Sequence, residues 1–184
     1  MPQFAKHFRT LFVWLILSEI LCLVLSFSFA IIGKNWMQYI SLACSLAVHL
    51  LLMASTAQKI ANASLIQYRR TKYRISILFP SFLGLLTAAV QEIPYGLLWI
   101  FPNSVAYRNI FPILQSPFLQ IQKMIFGDAE TFAELLPLIK FLSALPPIFT
   151  ALTVIFSFEI RYRNGVATED AKGNTESSRE KFTH

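Results

Sequence analysis

Between positions 59 and 74 the chain reads KIANASLIQYRRTKYR, with Lys59, Arg69, Arg70, Lys72 and Arg74 and no acidic residue. Long apolar runs lie on both sides. A basic loop set between apolar runs of membrane-crossing length permits few folds. It reads as a loop between two transmembrane helices, and it fixes the direction of insertion. The totals agree: 55% of the 184 residues are hydrophobic and only 14% are charged. Mean hydropathy is +0.53. A soluble domain of this length could not bury so much apolar surface, whereas a bilayer can.

The expected fold is all-α, an integral membrane protein built as a bundle of four transmembrane helices. The spans fall at about 11–32, 36–58, 75–101 and 135–158, each long enough to cross the apolar core of a bilayer. Residues 1–163 form one domain. The polar segment 164–184 reads as a disordered cytoplasmic tail. The first run is longer than a signal-peptide core and contains Glu19, so it is expected to be an uncleaved span. Segment 102–127 carries Pro102, Pro112 and Pro117 among many Phe, Ile and Leu. It is expected to form an interfacial helical segment between the third and fourth helices. A re-entrant hairpin is the alternative, which would need protein or water to satisfy its backbone. Gly127 should stop that segment and Asp128 should cap the helix that follows.

Nine Lys and Arg flank the spans on one side: Lys6, Arg9, Lys59, Arg69, Arg70, Lys72, Arg74, Arg161 and Arg163. The other side has three, Lys34, Arg108 and Lys123. The bias places both termini and the 59–74 loop in the cytoplasm, in a membrane of bacterial cytoplasmic type. Arg69, Arg70, Lys72 and Arg74 are then expected to anchor on anionic headgroups of the cytoplasmic leaflet. The net charge of +6 sits at span ends beside 17 Phe, a membrane pattern with no sign of nucleic-acid binding.

An ionisable side chain inside a span costs about 2.5–3.5 kcal/mol on insertion scales, so such residues are the first candidates for function. Glu19, His49, Glu92 and Lys140 qualify. From the helical rise, Glu19 and His49 lie about 12 and 13–14 Å from the cytoplasmic edge. A hydrogen bond between them is geometrically open, as a structural clasp or as a proton or cation relay. Glu92 and Lys140 share a second depth, where an ion pair is possible and where Lys140 could instead snorkel to the headgroups. Pro94 and Gly96 predict a kink in the third span, and Pro146 and Pro147 one in the fourth. Ser41 and Ser45, and Ala43 and Ala47, are spaced four apart, which lets helices approach closely.

No catalytic motif is present, and Cys22 and Cys44 show no metal-ligand spacing. No cofactor or metal is expected. The expected function is that of a non-catalytic membrane subunit or accessory protein, packing against partner helices or against further copies of itself. One alternative is transport, by a small oligomeric permease or channel using Glu19, His49 and Glu92. Another is an intramembrane or lipid-handling enzyme with Cys22 near Glu19 and His49.

Overall fold

A computed structural model describes the backbone of residues 2–34 and 36–181 and the side chains of 4–34 and 36–172. The described chain is helical throughout, with no strand among the described residues. The helices are α1 (Pro2–Ile31), α2 (Met37–Thr71), α3 (Leu78–Gln91), α4 (Ile93–Ile100), α5 (Val105–Leu114), α6 (Leu119–Phe126), α7 (Pro137–Ser143) and α8 (Pro146–Lys181). A 3-10 turn, Ser116–Phe118, precedes α6. Three segments are long and apolar enough to cross a membrane: Phe4–Ala30, Met37–Thr71 and Pro137–Lys172. A fourth exists if α3 and α4, bent by 42°, count as one.

The bend falls where Pro94 and Gly96 predict it. Pro94 sits in the first turn of α4, where its missing N–H costs nothing. The break itself is at Glu92, which caps both helices in αR conformation. The last long apolar segment is interrupted too. α7 ends at Ser143, and α8 restarts at Pro146 and Pro147. The third helix begins at Leu78 rather than 75. The fourth is preceded by turns over 127–136, so Asp128 does not cap it, contrary to the sequence expectation.

α1 and α2 pack antiparallel. Their facing positions are Leu11, Leu15, Ser18, Cys22 and Ser26 on α1, and Ser41, Ser45, His49, Met53 and Ala57 on α2. These recur every three to four residues, the spacing of a single helix face. α2 and α8 run parallel and in fixed register. His49 bonds Thr150, Asn62 bonds Arg161, Arg69 bonds Glu169 and Tyr68 bonds Asp170, with sequence separations of 99 to 102. Gly84 lets α3 close on α8: a Cβ there would lie 2.7 Å from Ile155 Cγ1 and 2.8 Å from the Ala151 carbonyl oxygen.

Two segments take a definite path. Within 164–184, expected as a disordered tail, α8 continues to Lys181. Its low average hydropathy conceals a stripe. Tyr162 and Val166 are buried four apart, Gly165 admits Leu65 of α2, and Asp170 receives the Tyr68 hydroxyl. Positions 182–184 lie outside the described residues. The 102–127 segment, expected as an interfacial element, turns inward after α5. Ser116, Pro117 and Phe118 are buried between α1 and α2, with Ser116 against Glu19, midway along α1. The turn thus packs inside the helical bundle. Two glutamines, Gln115 and Gln122, supply hydrogen bonds to backbone carbonyls where α3 and α7 end.

Candidate functional site: a buried polar layer

The apolar half of the α1–α2 seam holds Leu11, Leu15, Met53, Ala57 and Ile60. The other half, toward the Gly33 turn, is polar and small. There Ser26 Oγ lies 3.4 Å from Ser45 Oγ, and Ser41 Oγ donates to Ser26 Oγ at 3.5 Å. The Cys22 thiol donates to the Ser45 carbonyl at 3.3 Å. One turn further in, His49 is fully buried. Its Nδ1 lies 2.9 Å from Ser18 Oγ and its Nε2 2.8 Å from Thr150 Oγ1. The Ser18 hydroxyl proton is used on the Leu15 carbonyl. Ser18 Oγ therefore accepts from Nδ1–H, and Nε2 shares a hydrogen bond with Thr150, so both ring nitrogens are satisfied. His49 thus ties α1, α2 and α8 together, and Phe118 closes over its ring edge at 5.7 Å.

Glu19 lies next to Ser18 but turns to a different set of partners. Gln91 Nε2 donates to Glu19 Oε1 at 2.8 Å. Ser116 Oγ lies 3.0 Å from Glu19 Oε2 and also bonds the Glu19 carbonyl. From there the network continues through the inserted segment. Gln115 Nε2 donates to the Gln91 carbonyl at 2.9 Å. Gln122 Nε2 donates to Gln115 Oε1 and to the Ser143 carbonyl, each at 2.8 Å. Four discontinuities in the helices are therefore held by one chain of side-chain amides: the end of α3, the 3-10 turn, α6 and the end of α7. Two amide oxygens, Gln91 Oε1 and Gln122 Oε1, are buried with no partner.

The sequence reading is only partly realised at this layer. Glu19 and His49 do lie at adjacent levels, but they do not bond each other. Each finds closer polar partners that a count of depth could not see. Glu92 and Lys140 form no ion pair either. Glu92 is half-buried at the α3–α4 break. Lys140 instead donates to the Ala133 carbonyl at 3.2 Å and lies over the rings of Phe132 and Trp99, 5.1 and 5.8 Å from their centres. The basic cluster also splits. Arg69 pairs with Glu169 at 2.7 Å, Arg74 pairs with Asp170 at 2.8 Å, and Lys72 lies over the Tyr68 ring. Arg70 enters no ion pair among the described residues.

Sequence reasoning missed Ser18, Gln91, Gln115, Ser116, Gln122 and Thr150. One signal was available: polar residues recurring within otherwise apolar runs. Among the described residues no three His, Cys, Asp or Glu side chains gather as metal ligands. Comparison with known protein families, characterised proteins and solved structures gives no match.

Proposed function

We propose that this is an integral membrane protein crossing the bilayer four times, with the bent α3–α4 pair as the third crossing. Both ends and the 59–74 loop lie on the cytoplasmic side of a bacterial-type membrane. Its role is that of a non-catalytic membrane subunit that packs against partner helices. The observation that carries this reading is the closure of the polar layer. Glu19 and His49 are engaged by neutral side chains from four directions, and their bonds clasp the helices together. Among the described residues, surface cavities of about 170 to 410 Å³ lie elsewhere, and none of these four is lined by Glu19, His49, Glu92 or Cys22. A pump or an acid–base enzyme needs its ionisable groups within reach of solvent or substrate. A subunit needs none of that. It needs an outward face on which another helix can seat closely, and the exposed Ala43 and Ala47 of α2 supply small residues at the required spacing.

One observation favours a second reading, a small oligomeric permease. The hydroxyls of Ser41, Ser26 and Ser45 descend from the Gly33 turn toward His49, as the lining of a half-path would. Arg70 and Lys72 are the members of the basic cluster that enter no salt bridge among the described residues, so headgroup anchoring falls mainly to them.

Photo-crosslinking residues placed at Ala43 and Ala47 in native membranes test the subunit reading. Discrete protein adducts are expected from both positions. Adducts to lipid alone contradict it. The topology is tested by single cysteines in a C22A/C44A background. Asn109→Cys is expected to react with a membrane-impermeant maleimide added outside the cell, and Lys172→Cys only after lysis.

A further inference from the structure

Where α1 turns into α2, helix α6 closes over the turn and leaves a cavity of about 170 Å³. Its polar lining comes from Ser26, Lys34, Gln38, Ser41, Gln120 and Lys123. Lys34 and Lys123 approach it from opposite elements. No carboxylate lines it, and neither lysine enters an ion pair among the described residues. The 35-residue helix α2 begins at its wall, and its N-cap residue Trp36 gives no side-chain cap to the first-turn N–H groups. That end of a helix carries a partial positive charge.

A second observation is independent of charge. Gln120 is only 9% exposed and lines the cavity, yet its side-chain amide has no hydrogen-bond partner. Buried amides are ordinarily paired. The amide nitrogens of Gln115 and Gln122, its neighbours on the same segment, both are. An unpaired amide in a cavity that is also lined by two lysines and two serines is a donor waiting for an acceptor.

We propose that this cavity binds a phosphate group, carried by a lipid headgroup or by a soluble phosphate ester. The donors converge from several directions: ammonium, amide, hydroxyl and helix N-terminus. That suits a tetrahedral anion with many acceptor lone pairs better than a planar carboxylate held edge-on. The place suits it as well. Trp36 and Tyr39 are exposed beside the cavity, and such rings favour the headgroup level.

The test uses the full chain purified in mild detergent. Two probes are applied: phosphatidylglycerol, followed by native mass spectrometry, and inorganic phosphate, followed by thermal shift. The expected result is that one probe binds with one-to-one stoichiometry. Lys34→Gln with Lys123→Gln should weaken that binding at least about tenfold, as loss of charge-assisted bonds requires. Lys34→Arg with Lys123→Arg should retain it. Binding of phosphatidylglycerol without binding of phosphate assigns the lipid source; a phosphate-dependent shift in delipidated protein assigns the soluble one. Both lysines are exposed, so the ligand-free melting temperature of the Gln pair should match that of the parent. Ala30→Trp, which fills the cavity without touching either charge, should abolish binding. If neither probe binds, or if the Gln pair binds as the parent does, the proposal is wrong.

Discussion

Replacing His49 by Leu keeps the volume near that of the imidazole but strips Ser18 and Thr150 of their shared partner. In a membrane-type interior such hydrogen bonds are worth about 0.6 kcal/mol each and rarely more than 1.7. The expected loss is therefore about 1–2 kcal/mol, read as a lower melting temperature in detergent, with His49→Gln falling between. Glu19→Ala should cost more, about 1–3 kcal/mol, because the Gln91 amide is then left buried and unpaired and Ser116 keeps only the main-chain carbonyl of residue 19. A variant that melts like the parent would show the layer to be incidental to the fold. Both residues stood out in the sequence because charge inside an apolar run is costly. Their partners did not. A serine or glutamine costs little in a hydropathy average, and its importance depends on which residue a distant segment brings opposite it. Thr150 is 101 positions from His49 and Ser116 is 97 from Glu19.

The close approaches between elements are set by glycine. At Gly84 the obstacle to a larger side chain is the Ala151 carbonyl, part of the α8 backbone, which cannot move without the helix. Gly84→Ala should cost about 1–3 kcal/mol through overpacking. At Gly165 the obstacle is the side chain of Leu65, so Gly165→Ala should destabilise less and Leu65→Ala should relieve it. Melting curves of the two single variants and the double variant decide this. If Gly84→Ala melts with the parent, α3 and α8 do not meet as described. At this scale the sequence was most informative about the first two helices, where 20-odd apolar residues and a tight Gly33–Lys34 turn leave one arrangement. It was least informative over 164–181. A stripe of Tyr162, Val166 and Asp170 is too sparse to lift an otherwise polar stretch above the level of a tail. Only the parallel α2 beneath it gives those residues something to pack on.

Taken whole, the molecule is a bundle whose third connection folds back into its own core. The closed polar layer, and with it the reading as a subunit rather than a pump or an enzyme, depends on that return. The sequence left two places for segment 102–127, beside the bundle or within it. Its three prolines and many aromatics suit either, and the choice rests on whether buried partners exist for its amides. The Gln91 and Ser143 carbonyls are those partners, and Glu19 takes the Ser116 hydroxyl. The most direct measurement is disulfide formation between Glu19→Cys and Ser116→Cys in native membranes, in a C22A/C44A background. Efficient crosslinking under mild oxidation is the predicted result, with Cys at 116 inaccessible to an impermeant maleimide. Absence of the crosslink together with rapid labelling at 116 would place the segment at the surface, and the closed layer would be lost with it.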